Sequence, residues 1–467
     1  MLTLDRNDKD PIYFQIYRQF KEQIISGELK TGERLPATRA LCQEYHLSRN
    51  TVLYAYQQLE SEGFISSKVG SGFYVEEIPE FSHENDRVPV FFSSEKKEAL
   101  TYDFRYGALE PNIYQTSAFR RSLKEAMNEL ESKVNLANDE PSGLYGLREA
   151  ISEYLLQARD MHVRPEQILI TGGHHYSISL LQKILPEDID TLYMEEPGHE
   201  DSFSTFLEEG FHIVSIPVDE NGMRVEKIVS RNKAIAYVTP SHQFPLGAIL
   251  PIGRRLSLLK WAKASRSYII EDDYDASLRY KEQPIPSLFS LDRNQSVIYL
   301  GSFSKTLSPD LRISYIVLPA DLDLHSFSGL ISSPVSVLMQ LTVEKYIRSG
   351  QYKRTIARIR NLLRKKHNKI ISFFKECYGD TISLYGIGGG THFVISLPVN
   401  MKQEEIIAFF AERDIAVYPT KNYYLQKEIA PEGLILIGYG GIPLEKLDDH
   451  LLHLKDAIDE LIQTKTA

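Results

Sequence analysis

Cysteine is nearly absent from this 467-residue chain. Cys42 and Cys377 stand far apart and outside any CxxC pair, which excludes a disulfide framework and a thiolate zinc site; no metal site is expected. No apolar run approaches the roughly 18 residues that a helical membrane span needs. The opening residues, MLTLDRNDKDPIY, lack a basic stretch leading into an apolar one, so no secretory signal is read there and the cytoplasm is the expected compartment. Positive charge is not in excess either. The formal net charge of -10 does not advertise a nucleic-acid binder, although a DNA-reading surface inside a larger acidic chain needs only a local footprint. Internal repeats and low-complexity tracts are missing. No glycine run carries the following lysine of a P-loop, and Gly388-Gly389-Gly390 precedes a strand-like run and reads as a turn.

What is present is ordinary globular material, 42% hydrophobic and 25% charged, in a length that exceeds one compact core and suggests two or three domains. Ile12, Ile16, Phe20 and Ile24 fall four apart and line one helix face, with Gly27 fitted to a C-cap. A second short helix fits PATRALCQEYH, with Pro36 in its first turn. A third fits RNTVLYAYQQLESEG, with Ser48 as N-cap and Gly63 at its end. FISSK and GFYVEE, separated by Val69-Gly70-Ser71, read as a β-hairpin. From about Ile78 to Thr101 prolines, charges and serines mix without periodicity, as in a linker. Beyond it ILIT, TLYME, HIVSIPV, AIAYVTP, YIIEDD, VIYLGSFS and ISYIVLP alternate with helical stretches, the signature of an α/β domain with a largely parallel sheet. A long basic helix, strand-like ISLYG, THFVISL and LILIGYG, and a helical tail after Pro443 suggest a smaller α+β subdomain. The expected domains are 1–77, a linker over 78–101, and 102–467.

Two helices, a tight turn, a third helix and a hairpin are the elements of a winged helix-turn-helix, whose third helix enters the major groove of DNA while the wing touches backbone or minor groove. Ser48, Arg49, Asn50 and Thr51 at the start of that helix are suited to base edges and phosphates. Arg34 and Arg39 could hold phosphates, and Lys68 with Gly70 and Gly72 would let the wing approach closely. Charge speaks weakly for this reading, because residues Lys30 to Gly70 carry a net of only +1. A bundle with merely solvated arginines is the bland alternative. The stretch GERLPATRALCQEYHLSRNTVLYAYQQLESEGFISSKVGSGFYV resembles the GntR family of bacterial regulators, which implies binding of double-stranded operator DNA. Leu53 departs from the arginine that many members carry after the Thr-Val pair.

Three segments of the larger domain point to one chemistry. In GSFSKTLSPDLRISYIVLP, Lys305 follows serines at a strand end. It could form an imine with a phosphorylated aldehyde whose phosphate Ser302, Ser304 and Arg312 would hold. In YIIEDDYDASLRY a strand ends in carboxylates; Asp272 could pair with a protonated pyridine nitrogen and Tyr274 could donate to a phenolate oxygen. In ILITGGHHYSISLL, backbone N–H groups at Gly172, Gly173 and His174 would complete an anion site at a helix start. Singly, each has a plain alternative: a surface lysine, a turn, a loop.

Together and in this order they resemble fold-type I aminotransferases. With the N-terminal module, and with YDFRYG, SGLYGLREAISEYL, VTPSHQFPLG and EDDY, the whole chain is similar to the MocR/GabR subfamily of GntR regulators. The resemblance implies pyridoxal 5'-phosphate (PLP) as cofactor, a homodimer, and an α/β fold joining a winged helix-turn-helix to an aminotransferase-like domain. It assigns the imine to Lys305, the pyridine nitrogen to Asp272, the ring oxygen to Tyr274, and phosphate to Ser302 and Arg312. His242 and Gln243 lie in the segment that replaces an asparagine-containing loop, and either could face the ring. Tyr176 and His175 are the candidates for stacking on it. Aminotransferases hold the substrate α-carboxylate with an arginine at a Gly-aromatic strand end. Here GLILIGYGG places Leu436 at that point, no arginine follows Arg413, and Lys421 and Lys427 lack the forked geometry. The expected function is therefore a regulator whose operator binding responds to PLP or a PLP-reactive amine. The alternatives are a working aminotransferase with an accessory DNA-binding module, and a DNA-binding protein whose large domain is only a dimerisation scaffold.

Overall fold

The computed structural model describes residues 2–6, 8–68, 70–77, 100–110, 116–132, 140–229, 232–280, 286–322 and 333–466. Most of the expected linker, 78–99, and Val69 of the hairpin connection lie outside the described residues. The chain divides into two compact units, Met1–Lys96 and Lys97–Ala467.

The first unit follows its periodicities. α1 (Ile12–Ile25) buries Ile16, Phe20 and Ile24 against α3 (Arg49–Ser61), which turns Val52, Ala55, Tyr56 and Leu59 inward, while α2 (Thr38–Glu44) contributes Leu41. Each such side chain removed from water stabilises the unit by about 1.5–3 kcal/mol. The Ser48 hydroxyl caps α3 by accepting from the Thr51 N–H at 3.1 Å. β1 (Ile65–Lys68) and β2 (Gly72–Val75) form the antiparallel wing, with Ile65 opposite Val75 and Lys68 opposite Gly72.

The second unit begins with β3 (Tyr102–Asp103) and is organised by a large sheet. Its strands are β4 (Ile168–Thr171), β5 (Thr191–Glu196), β6 (His212–Asp219), β7 (Gly222–Met223), β8 (Ile235–Val238), β9 (Tyr268–Asp272), β10 (Val297–Ser302) and β11 (Ser314–Val317). In space the order is β4-β11-β10-β9-β8-β5-β6-β7. β10, β9, β8, β5 and β6 run parallel. β11 is antiparallel to both β10 and β4, so β4 points the same way as the parallel set. The strands that bear the predicted motifs thus end on one edge, where α/β sheets place their ligands. A second, antiparallel sheet orders β12 (Ser383–Tyr385), β13 (His392–Ser396), β16 (Leu434–Gly438) and β15 (Tyr418–Pro419), while β14 (Ile415–Ala416) pairs with β3. The helices Gln351–Tyr378 and Leu447–Thr466 cover it through Ile359, Leu363, Leu454 and Ile458. Thr101, placed in the linker on sequence grounds, already donates its N–H to Asp414 Oδ1 at 2.9 Å. No helix among the described residues is long and apolar enough to cross a membrane.

The period of two in a strand explains the acidic run that ends β9. Glu271 faces away from the site and accepts the backbone N–H groups of Leu288 and Phe289. Asp272 faces the opposite way, into the cavity described below. Asp273 pairs with buried Arg159 at 2.8 Å and accepts from the Tyr299 hydroxyl, and Asp275 holds His242. Removing one member of a buried ion pair strands the other, at a cost of about 3–5 kcal/mol. Arg159→Met is therefore expected to lower the unfolding free energy of the second unit, read from urea denaturation, by that amount; an unchanged unfolding curve would show that Asp273 does not depend on Arg159.

Candidate functional site

The first unit exposes Arg49 and Asn50 at the start of α3, together with Arg34, Arg39 and Lys68. Ser48 and Thr51 are tied to each other, hydroxyl to hydroxyl at 2.7 Å, so the cap already engages two of the four residues expected to read DNA. In the wing, Gly72 sits at φ +117°, and a Cβ there would stand 3.1 Å from Arg34 Nε. The positive φ favours glycine, and a Cβ would crowd the Arg34 guanidinium against the wing. The Lys68 ammonium rests 4.7 Å from the centre of the Tyr74 ring. Gly70, at φ +75°, makes the turn between the strands. Leu53 is half-buried.

In the second unit a cavity of about 180 Å³ opens at the carboxyl ends of the parallel strands. Asp272, Tyr274, Ser302, Ser304, Lys305, Arg312, His174 and His175 all line it. At one end lies an anion cradle. The helix His174–Ile184 starts here, leaving its first amide N–H groups without intrahelical acceptors. Gly173, at φ +104°, is the turn before it, and a Cβ on Gly173 would come 2.9 Å from the Arg312 guanidinium. Ser302 Oγ accepts from the Ser304 N–H at 3.1 Å. Gly172 packs against Pro334, 2.7 Å from where its Cβ would be.

At the other end Asp272 is fully enclosed. Its Oδ2 accepts from the Tyr237 hydroxyl at 2.5 Å and lies 3.8 Å from His174 Nε2. Burial pushes the carboxyl's pKa up; the His174 ring and the Tyr237 hydrogen bond work against that shift. Lys305 is half-buried in the cavity wall. Its Nζ sits 4.1 Å from the centre of the Tyr106 ring, and burial lowers its pKa to about 8, partly offset by the negative charge of Asp275. A desolvated amine with a lowered pKa is the form that attacks a carbonyl. The Tyr274 hydroxyl lies 3.1 Å from His242 Nδ1, and burial holds it neutral.

Three sequence expectations resolve differently in space. Tyr176 is not among the residues lining the cavity: it sits beside Gly172, against the apolar cluster on that face of the sheet. Helical geometry is the reason, since His174 and Ser177 share the cavity side at i and i+3 and Tyr176 falls off it. Neither His242 nor Gln243 lines the cavity. Gln243 donates to Phe244 O and accepts the Leu246 N–H within its own loop, and donates to Pro197 O in the segment after β5. His242 bridges Tyr274 and Asp275, the latter at 2.8 Å. The aromatic that does reach the cavity from the end of β5 is His199, which sequence reasoning missed. Its ring lies 5.1 Å from that of His174 and 5.3 Å from Phe244, and burial lowers its pKa to about 3. The signal was its place in GluGluProGlyHis, just past a strand end. Tyr106 was missed as well, although YDFRYG had been singled out.

Leu436 is buried in an apolar cluster with Phe244, Val394 and Leu434, bordered by Tyr106, Tyr274, Tyr418 and Tyr423. Among the described residues lining the cavity the only guanidinium is that of Arg312, in the anion cradle.

Residues 12–75 match the model of the bacterial regulatory proteins of the gntR family, and residues 109–424 that of aminotransferase class I and II. The HTH-type transcriptional regulator YdeL of Bacillus subtilis is 34% identical over 458 residues, covering 97% of this chain and 98% of that one. The probable rhizopine catabolism regulatory protein MocR of Rhizobium meliloti is 28% identical, covering 98% and 96%. The pyridoxine biosynthesis regulator PdxR of Corynebacterium glutamicum is 29% identical, covering 98% of each chain. Among solved structures, kynurenine aminotransferase of Pyrococcus horikoshii superposes with a TM-score of 0.69 at 21% identity, over 78% of this chain and 92% of that one, which establishes the fold of the larger unit. The chain belongs to the MocR/GabR subfamily of GntR regulators: a winged helix-turn-helix fused to a fold-type I aminotransferase-like domain.

Proposed function

We propose that this protein is a transcriptional regulator whose binding to a double-stranded operator responds to PLP, or to an amine that reacts with it, held at Lys305. The observation that carries the reading is the cavity itself. It joins a half-buried amine of lowered pKa, an enclosed carboxylate and an anion cradle, the three groups that an aldehyde, a pyridine nitrogen and a phosphate require. Arg312, Ser302, Ser304 and the helix start at Gly173-His174 would hold the phosphate. Asp272, aimed by Tyr237 and His174, would hold the ring nitrogen in its protonated form. Tyr274 would donate to the ring oxygen, and neutral His199 would cover a ring face. When bound, the cofactor supplies an aldehyde for amines and a ring that withdraws electrons.

On the DNA side, Arg49 and Asn50 would reach base edges or phosphates, and Arg34, Arg39, Lys68 and the wing glycines would set the backbone approach. A homodimer would present two such units to repeated half-sites. The reading as a working aminotransferase lacks a clamp for the substrate carboxylate, since the position at Leu436 is apolar and closed. An effector held as a simple α-amino acid is disfavoured for the same reason.

Footprinting of the DNA upstream of the protein's own gene, with and without PLP and candidate amines, tests the function. Lys305→Ala is expected to remove a borohydride-sensitive visible chromophore and to leave basal operator binding intact. Retained colour would show that another lysine holds the cofactor; steady keto-acid production by the native protein would sink the regulator reading. Acylation of the cofactor-free protein is expected to label Lys305 with a midpoint near pH 8. Below that pH the amine is protonated and unreactive. A midpoint near the ordinary lysine value would contradict the half-buried amine.

A further inference from the structure

His242 stands in the loop after β8 between two residues with partners of their own. Ser241 accepts from the Arg159 guanidinium at 3.0 Å, and Gln243 is tied to backbone on either side. His242 Nδ1 lies 2.8 Å from Asp275 Oδ2 and 3.1 Å from the Tyr274 hydroxyl. His242 and Asp275 are 3% and 5% exposed, so water does not compete for either. The ring is closely boxed. A Cβ on Gly390 would come 2.5 Å from His242 Cε1 and 3.0 Å from Asp275 Oδ2, and one on Gly247 would come 2.9 Å from His242 Nε2. Gly390, the last of the three glycines before β13, is held in turn. Its N–H donates to Leu278 O at 3.0 Å, and its carbonyl accepts from the Tyr439 hydroxyl at 2.8 Å. The glycine run thus makes room for a histidine–carboxylate pair.

This geometry settles which ring nitrogen carries the hydrogen. A carboxylate only accepts, so the nitrogen facing Asp275 is the donor. Nε2 then keeps a bare lone pair. It is buried without a hydrogen-bond partner among the described residues, and a hydrogen there would have nothing to receive it. The opposite tautomer would set two acceptors face to face. A nitrogen that carries a hydrogen cannot take one from Tyr274. The tyrosine oxygen therefore receives the shared Nδ1–H, and its own hydrogen turns away from His242. Burial first, then Asp275, Tyr106, Asp272 and Glu195, oppose ionisation of Tyr274, so that hydrogen stays on the oxygen. His392, whose ring lies 5.8 Å from that of His242, is kept neutral by burial, its pKa lowered to about 3.

We propose that His242, oriented by Asp275, is a positioning residue that turns the hydroxyl hydrogen of Tyr274 into the cavity, toward an ionised oxygen of the molecule held there. The inference rests on the reading above, in which that oxygen belongs to PLP at Lys305. It adds the reason why Tyr274 donates rather than accepts, and it gives work to two buried residues that do not line the cavity. A donated hydrogen bond favours the charged form of an oxygen. It thereby weakens the hold of that oxygen on a proton shared with Lys305 Nζ, and the proton leaves at lower pH.

The test is the visible spectrum of the full-length protein with PLP, followed across pH. Tyr274→Phe removes the donor and is expected to raise the midpoint of the colour change by about one pH unit, as fits one hydrogen bond to a charged oxygen. His242→Phe keeps a ring, loses the N–H and is expected to raise the midpoint likewise. The double variant is expected to go no further than Tyr274→Phe alone. His242→Asn sets an amide N–H near the place of Nδ1 and is expected to restore the native midpoint. Asp275 is left unchanged, because its charge also acts on Lys305. A His242→Phe protein with the native midpoint, or a double variant in which the two shifts add, overturns the proposal. In PLP-free native protein carrying isotope-labelled histidine, the ring signal that vanishes in His242→Asn is expected to show its hydrogen on Nδ1. A hydrogen on Nε2 overturns the proposal even where His242→Phe does not fold. An unmoved midpoint in Tyr274→Phe instead overturns the placing of the ring oxygen, and a colourless native chain overturns the reading of Lys305.

Discussion

The structure depends on one arrangement: a half-buried amine and a buried carboxylate at the edge where parallel strands end. Burying either group alone is costly, because each loses its hydration in its charged form. Here the cost is met by changing the groups' protonation behaviour rather than by pairing them with each other. Lys305 drops to a pKa of about 8 over an aromatic face, and Asp272 rises while Tyr237 and His174 hold its oxygens in place. Such groups are poor contributors to stability and good contributors to chemistry. The surrounding strands, loops and buried pairs such as Arg159–Asp273 supply the rigidity that keeps them there.

The same edge separates holding a cofactor from turning over a substrate. One end of the cavity brings together a helix start, a guanidinium and a glycine that makes room for it, a set suited to an anion. The surroundings of Leu436 are apolar, and main chain of residues 105–108 lies close against the glycines beyond it.

Much of this was legible in the sequence because it is local. Helix spacing in α1, the Ser48 cap, the Gly-containing wing and the apolar runs of the large sheet each declare themselves within a few residues. Lys305, Asp272, Tyr274, Ser302 and Arg312 could be named because each sits at a strand end or on the loop that follows, and the structure brings them to one cavity. What could not be read depends on rotation and on distance along the chain. A shift of one or two positions around a helix start separates His174 from Tyr176. His242 and Gln243 sit next to each other and serve two different loops. Tyr106 meets Lys305 across some two hundred residues, and nothing in YDFRYG states which of its side chains points at an amine.

The proposed function has Lys305 couple a bound cofactor to operator DNA. Its most direct measurement is the operator dissociation constant across a titration of PLP, for the native chain and for Lys305→Ala. The account predicts a saturable change of about fivefold or more in the native chain and a flat line in the variant, with equal affinities when PLP is absent. Parallel curves for the two proteins, or a flat line for both, would contradict it.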